Sequence, residues 1–172
     1  MLFLSGELID REIINEIVNK NIAISPFNEA YVGPASVDLS LGCSIRKFCN
    51  SNKKIICDDI DYKKITSVIS LNDGYILDPG QLILGITNEK ITLPENICGW
   101  INSRSRYARI GLMSHTTSPF VMPGVSNKQV LEIFNAGPFP IKLKTGDKIC
   151  HIVFQRCEGK AKYNGIYKDQ DL

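Results

Sequence analysis

Apolar residues near the N-terminus recur at intervals of three and four positions, the spacing that gathers side chains on one face of a helix. This series consists of Leu8, Ile9, Ile13, Ile14, Ile17 and Val18. Ser5 precedes the series and can act as an N-cap, and acidic residues occupy the early turns, where the helix dipole favours them. The pattern therefore predicts one helix that is capped by Ser5 and extends through Asn19.

After this helix, short runs rich in β-branched residues predict strands. The runs are 35–39, 55–57, 67–71, 81–87, 130–134, 141–143 and 148–154, with a further strand-like stretch at 97–101. Turns that contain Pro, Gly or Asp separate them, and many short strands at such spacing favour an antiparallel barrel or a jelly-roll sandwich. We therefore predict a mainly β fold in a single domain, residues 1–172. The polar segment 50–64 is interpreted as an exposed excursion.

The composition narrows the classes of partner and compartment. The formal net charge is +2 and the chain has no long basic run, so we do not expect a nucleic acid partner. No apolar run approaches the roughly 20 residues that span a bilayer, so no membrane partner is expected either. The opening apolar stretch is too short for a signal peptide, which favours a cytoplasmic protein with reduced, structural cysteines.

The spacing of potential metal ligands does not match a zinc site. None of the six cysteines lie two or three residues apart. The two histidines, His115 and His151, form neither an H-x-E nor an H-E-x-x-H arrangement. We therefore predict no protein-bound metal and, in particular, no zinc.

Arginines and serines are densest in the segment 102–112. Ser105 can cap a short helix whose free backbone N–H groups face an anion. Arg104 and Arg106 can donate forked, charge-assisted hydrogen bonds to phosphate oxygens, and Arg109 lies one helical turn beyond Ser105 on the same face. The segment is a candidate phosphate site, but an exposed basic turn at a subunit interface has the same composition.

A single acidic residue, Glu132, lies inside an otherwise apolar strand. Strand alternation places Val130, Glu132 and Phe134 on one face, so the carboxyl group is expected among apolar neighbours. Burial raises the pKa of a carboxyl group into a range useful for proton transfer, which makes Glu132 a candidate general acid and base. The alternatives are a solvent-facing glutamate at a strand edge and a structural partner for an arginine.

Two further segments have weaker signals. Residues 115–124 carry small hydroxyl side chains, including Ser118, that can bind the edge of a base or a water molecule. His115 is interpreted as a structural residue. The polar residues from Lys160 onward are either a frayed terminus or a functional arm.

These segments, taken in order, resemble the dCTP deaminase family of the dUTPase superfamily over nearly the whole chain. The matching stretches are 34–42, 77–81, 87–89, 93–94, 102–112, 131–135 and 163–170. Segment 102–112 resembles the signature G-R-S-S-L-A-R-L-G-L, and Leu131-Glu132 with Asn135 resembles L-E-x-x-N. Segment 163–170 resembles the arm motif Y-x-G-K-Y-x-x-Q.

The resemblance implies a dUTPase-like β-barrel or jelly-roll subunit in a homotrimer, with active sites between subunits and residues 160–172 as an arm over the nucleotide. It implies hydrolytic deamination of dCTP to dUTP and ammonia without a catalytic metal, and Mg²⁺ only as the counterion of the bound triphosphate. Glu132 would be the general base and proton shuttle, while Ser105 and Arg109 would position the water and stabilise charge at the base. The implied substrate-binding residues are Arg104, Arg106, Ala108, Ser118, the backbone of Val130 and Leu131, Tyr163 and Gln170.

Several positions depart from the family pattern. Met122 stands where the family has an aspartate near the deoxyribose, a residue that activates the hydrolytic water in dUTPases. Ser103 and Arg106 replace the glycine and second serine of the signature, Asn127 stands where a glycine is common, and Ile166 replaces the arm lysine. The departures leave two alternatives: a dUTP diphosphatase, which Met122 argues against, and a catalytically silent or altered-substrate deoxynucleotide-binding relative.

Overall fold

The structure, a computed structural model, describes residues 6–49 and 61–172. Within these residues it contains two α-helices and eleven strands. The helices are α1 (Asp10–Val18) and α2 (Ser105–Ala108). The strands are β1 (Ala23–Ser25), β2 (Val37–Phe48), β3 (Thr66–Ser70), β4 (Tyr75–Leu77), β5 (Leu82–Thr92), β6 (Ile97–Ser103), β7 (Leu112–Met113), β8 (Phe120–Val121), β9 (Ser126–Asn135), β10 (Ile141–Leu143) and β11 (Lys148–Arg156). The predicted mainly β fold is confirmed.

The N-terminal helix begins later than the sequence pattern indicates. Its N-cap residue, Ile9, is extended and makes no side-chain capping bond. The predicted cap at Ser5 is therefore wrong, since the helix begins at Asp10, and Ser5 itself lies outside the described residues. The helix starts late because the preceding chain pairs with a strand: the Leu8 N–H donates to the Phe154 carbonyl at 2.9 Å.

Most described strands join into one curled antiparallel sheet. Nine strands of the described chain form it, in the order β7-β9-β5-β2-β11-β6-β8, with β1 beside β5 and β3 beside β2. Register shifts interrupt the β2–β5 and β5–β9 pairings, and such bulges bend a sheet and increase its twist. The long central strands therefore curl around the apolar core, while β4 and β10 pair separately.

The predicted strand runs correspond to strands, but with different ends. Run 141–143 coincides with β10, whereas run 35–39 is the start of the much longer β2. Run 55–57 lies outside the described residues. Of the polar segment 50–64, the described part forms a 3₁₀ turn at Tyr62–Lys64 that leads into β3.

On the core side of the central strands, apolar side chains of neighbouring strands come close together around Gly85. Ile45 of β2 pairs with Gly85 of β5, and Gly85 pairs with Leu131 of β9. A Cβ atom on Gly85 would lie 2.6 Å from Cδ1 of Ile133. A larger residue at position 85 would therefore force the end of the Ile133 side chain to move within the packed core.

A buried carboxylate also ties two of these strands together. Glu89 of β5 is 3% exposed, and its oxygens accept hydrogen bonds from the Ser40 hydroxyl (2.6 Å) and the Ser40 backbone N–H (2.8 Å) of β2. Buried charge is tolerated where charge-assisted hydrogen bonds satisfy it. Ser40 and Glu89 therefore form a polar cross-strand link next to the irregular part of the β2–β5 pairing.

The residues after β11 run along the surface of their own chain. The Ala161 N–H donates to the Glu95 carbonyl (2.8 Å), and the Tyr163 N–H donates to the Pro123 carbonyl (3.0 Å). This segment, residues 160–172, is called the arm below. Within the described part of the chain, no helix is both long enough and apolar enough to cross a bilayer.

Candidate functional site

The candidate site lies on the face of the sheet opposite the core. Arg46 of β2 pairs with Leu84 of β5, and Leu84 pairs with Glu132 of β9, so the three residues form one row across the sheet. Paired residues of neighbouring strands project to the same side, and the row is one position removed from the buried Ile45–Leu131 row. Glu132 therefore faces away from the core.

A cavity of about 400 Å³ lies over this face. It is lined by strand residues, by the loop around β8 and by the arm. The lining residues are Phe48, Tyr62, Leu84, Ser118, Phe120, Val121, Met122, Val125, Asn127, Gln129, Val130, Glu132, Tyr163, Tyr167 and Gln170. A cavity of this size, whose lining combines apolar side chains with polar groups, is typical of sites that bind small molecules.

Glu132 is held at the wall of this cavity by backbone donors. Its Oε2 atom accepts hydrogen bonds from the N–H groups of Thr116 (3.1 Å) and Thr117 (2.9 Å). Among the described residues, no donor is bonded to Oε1. The expectation that Glu132 is buried among apolar neighbours is wrong: the side chain is half-buried, because the face that it shares with Val130 and Phe134 borders the cavity. The arrangement fixes one carboxylate oxygen and leaves the other available to a ligand.

His115 lies beside this carboxylate. Its Nδ1 atom is buried and has no hydrogen-bond partner among the described residues. Burial lowers the pKa of His115, and the negative charge of Glu132 opposes that effect. His115 therefore differs from the satisfied structural histidine that the sequence suggested, and its lowered pKa favours the neutral imidazole.

The arginine-rich segment forms the short helix α2, but Ser105 is not its cap. The N-cap position is Arg104, and Ser105 is the first helical residue. The Arg104 Nε atom lies 3.3 Å from Oδ1 of Asp38, and its Nη1 donates to the Lys148 carbonyl at 3.3 Å. Ser105 and Arg106 are exposed. The segment thus holds Arg104 in an ion pair and exposes Arg106 and Arg109 to solvent.

A second cavity lies beside this helix. It is lined by Ala108, Arg109, Ile110, Gly111, Gly137, Pro138, Phe139, Pro140 and Ile141. It shares no lining residue with the Glu132 cavity. A single chain therefore places the candidate residues in two groups: Glu132, Ser118, Val130, Tyr163 and Gln170 at the first cavity, and Ala108 and Arg109 at the second. The Leu131 side chain lies in the core.

Several lining residues were not predicted from the sequence. Tyr62 lies in the polar segment 50–64, where nothing in the local pattern indicates a cavity wall. Its ring centroid is 5.8 Å from the guanidinium carbon of Arg46. Burial raises the pKa of Tyr62, and the positive charge of Arg46 opposes that effect. Phe48, Gln129 and Tyr167 could not be predicted from the sequence either, since only strand register and docking of the arm bring them to the cavity.

No metal centre is apparent within residues 6–49 and 61–172: no three side chains of His, Cys, Asp or Glu gather closely enough to hold an ion.

A protein-family model matches most of the chain. The family model described as dCTP deaminase-like matches residues 7–157. A protein of Mycolicibacterium paratuberculosis (strain ATCC BAA-968 / K-10) named "dCTP deaminase, dUMP-forming" is 36% identical over 158 residues, which cover 91% of this chain and 83% of that protein. A protein of Marinomonas sp. (strain MWYL1) named "dCTP deaminase" is 37% identical over 180 residues, covering 95% of this chain and 93% of that protein.

Solved structures share the fold. The 2'-deoxycytidine 5'-triphosphate deaminase of Agrobacterium tumefaciens superposes with a TM-score of 0.72 at 21% identity, covering 88% of this chain. The chain spans about half of that protein, 48% of its length. A mutant dUTPase from phage phi11 of S. aureus gives a TM-score of 0.51 at 12% identity, over 84% of this chain and 96% of that one. At these identities the likeness concerns the curled β fold alone.

Proposed function

The chain belongs to the dCTP deaminase-like family, and on that premise we propose that it hydrolyses the C4–N bond of the cytosine in dCTP, releasing dUTP and ammonia. The observation that carries the proposal is the position of Glu132. Its carboxylate is oriented by two backbone N–H groups at the wall of a cavity and has a free oxygen beside the space that a ligand would fill. A carboxylate positioned in this way can act as a general acid and base.

The proposed chemistry uses Glu132 as a proton shuttle. It takes a proton from a water molecule as the water oxygen bonds to C4 of cytosine, and N3 is protonated. The C4–N bond then breaks as a proton reaches the departing amine, so that a C4 carbonyl and ammonia form. The backbone of Val130 and Leu131, with Ser118, would contact the nucleoside, since Val130 and Ser118 line the Glu132 cavity.

We assign Ser105 and Arg109 to positioning the water and stabilising charge, but in a neighbouring subunit. Arg109 and Ala108 line a cavity separate from that of Glu132, and Ser105 is exposed. A homotrimer with sites between subunits, as the family resemblance implies, would bring the two groups together. This assembly is part of the proposal.

The triphosphate would be bound by the arginine-rich segment and the arm. Arg104 and Arg106 can donate to phosphate oxygens, and Tyr163 and Gln170 of the arm line the cavity. Mg²⁺ would accompany the triphosphate as its counterion, coordinated by phosphate oxygens and water. Asp38, beside the arginine-rich segment, already lies within 4 Å of two cations, Arg104 (3.3 Å) and Lys148 (3.8 Å), so it is poorly suited to act as an additional metal ligand.

We propose a metal-independent deamination that ends at dUTP. The sequence lacks a zinc-ligand motif. Met122 lines the cavity where the resemblance places a water-activating aspartate, and a thioether cannot take a proton from water. Since one relative is named dUMP-forming and another is not, the product must be measured. Met122 also supports the second candidate, a relative that binds a deoxynucleotide without turning it over.

The deciding experiment is incubation of the protein with dCTP and magnesium, followed by chromatography of the nucleotides and assays for ammonia and pyrophosphate. We expect dUTP and ammonia in equal amounts and no pyrophosphate. Release of pyrophosphate with dUMP would instead identify a diphosphatase step. No product, with dCTP raising the melting temperature, would favour the silent binding relative.

A further inference from the structure

The arm is held against the Glu132 cavity by a side-chain amide of β9. Asn127 Nδ2 lies 3.1 Å from the carbonyl oxygen of Tyr167 and 3.0 Å from that of Lys168. An amide nitrogen carries two hydrogens, so both carbonyls can be bonded at once. Asn127 is 6% exposed, and therefore its NH₂ group would lose its partners, with little access to water, if the arm moved away.

The orientation of this amide is fixed by its neighbours. Gln129 Nε2 donates to the Asn127 Oδ1 atom at 2.6 Å, so the oxygen of the amide faces Gln129 and the nitrogen faces the arm. Gln129 is itself 8% exposed, and its backbone N–H donates to the Thr87 hydroxyl at 2.9 Å. A chain of buried hydrogen bonds therefore aims the Asn127 donors at the arm independently of any ligand.

Two more hydrogen bonds hold the same part of the arm. Gln170 Nε2 donates to the Lys128 carbonyl (3.0 Å), and the Tyr62 hydroxyl donates to the Asp171 carbonyl (3.0 Å). Tyr62 belongs to the opposite side of the cavity, beside β2, whereas Asn127 and Lys128 belong to β9. The end of the arm thus spans the cavity from one wall to the other.

We propose that Asn127 is a positioning residue that docks the arm on the cavity before a nucleotide arrives, so that Tyr163, Tyr167 and Gln170 form a preorganised wall of the site. The cost of ordering the arm is then met in the free protein and not during binding, which increases affinity. Asn127 acts on substrate affinity through the arm and takes no part in the chemical step. This inference rests on the proposed function for its effect on dCTP, but the docking itself does not.

The first test uses Asn127→Asp, which keeps the shape and the acceptor but replaces the two donors by an oxygen facing two carbonyls. Without nucleotide, we expect trypsin to cleave after Lys162 and Lys168 about tenfold faster than in the wild type, as judged by mass spectrometry of the released peptides. The matched control is Asn72→Asp, the same change at an exposed turn residue, which should leave cleavage unchanged. Unchanged cleavage in Asn127→Asp would overturn the proposal.

A second variant keeps the proposal testable if Asn127→Asp fails to fold. Tyr62→Phe removes only the hydroxyl that bonds the Asp171 carbonyl and retains the ring beside Arg46. We expect arm cleavage to accelerate about threefold, in keeping with the loss of one hydrogen bond. Cleavage at the wild-type rate would mean that the arm is not held across the cavity in this way.

The kinetic test separates affinity from chemistry. In Asn127→Asp we expect KM for dCTP to rise about tenfold, with kcat within about twofold of wild type. A fall in kcat at unchanged KM would overturn the role in affinity. If the wild type does not deaminate dCTP at all, the proposed function fails, and the proteolysis still decides whether Asn127 docks the arm.

Discussion

Glu132 is the residue on which the proposed chemistry depends most directly. Thr116 and Thr117 donate to one oxygen of its carboxylate, so the side chain can stay in place when its proton affinity is changed. Glu132→Gln keeps the size and removes the base. We expect kcat for deamination to fall by about 10²–10⁴, the usual contribution of a general acid–base group, while dCTP still binds. Ammonia release and isothermal titration calorimetry measure the two effects.

The control for this variant is the same change at an exposed carboxylate. Glu29 lies in a surface 3₁₀ turn, and Glu29→Gln should leave kcat and affinity unchanged. Wild-type turnover by Glu132→Gln would remove Glu132 from the mechanism.

Two histidines give the protein a pH-dependent stability. Burial lowers the pKa of both His115 and His151 below the ordinary value. The unfolded chain therefore takes up protons at a higher pH than the folded chain, and the stabilisation that comes from keeping the rings neutral is present above about pH 6.5 and is lost as pH falls below it. We expect the melting temperature to decrease between pH 7.5 and 5.5. The double variant His115→Asn/His151→Asn should flatten this decrease, and an unchanged slope would contradict the assignment.

At the scale of elements, sequence periodicity predicts long strands better than short ones. β2, β5, β9 and β11 have nine or more residues each, and parts of all four were predicted. β1, β4, β7 and β8 have two or three residues each and were not predicted, although β10, which also has three residues, was. Their pairing is decided by neighbouring strands, which local sequence does not encode.

The residues of the candidate site also divide into those that the local sequence predicts and those that only the fold reveals. Glu132 was predicted because an acid inside an apolar strand is a local signal. Tyr62 and Phe48 were not, because they reach the cavity only through the register that aligns Arg46, Leu84 and Glu132 across three strands. Ser105 was placed in the correct helix but one position away from the cap, since capping depends on backbone angles that residue type alone does not fix.

The Ser40–Glu89 link between β2 and β5 provides a stability prediction for these elements. Ser40→Ala removes the hydroxyl that donates to Oε1 of Glu89 and leaves a buried carboxylate oxygen without that donor. We expect the free energy of unfolding to fall by about 1–3 kcal/mol, measured by urea denaturation. The matched variant Ser67→Ala, on an exposed position of β3, should change it by less than about 0.5 kcal/mol. Equal effects of the two variants would show that the link contributes no stability.

For the molecule as a whole, the distribution of exposed apolar side chains supports an assembly. Ile110 is 51% exposed and Phe139 is 73% exposed, and both line the cavity beside Arg109. Trp100 and Phe120, 40% and 37% exposed, lie with ring centroids 4.6 Å apart on neighbouring strands. Exposed apolar groups gathered in this way mark surfaces that contact another protein. Contact with another copy would cover them and bring a partner's residues to the Arg109 cavity.

A shared site makes a prediction about mixtures of inactive variants. Glu132→Gln and Arg109→Ala should each be inactive alone, since every site would lack one group. If Glu132 and Arg109 come from neighbouring subunits, about one quarter of the sites in randomly mixed trimers combine an intact copy of each, so co-expression should restore about a quarter of wild-type turnover. Co-expression of Ser105→Ala with Arg109→Ala is the matched control: both residues would come from the same subunit, so every mixed site keeps one defect. If neither mixture recovers activity although both sediment as trimers, Glu132 and Arg109 must act within one chain.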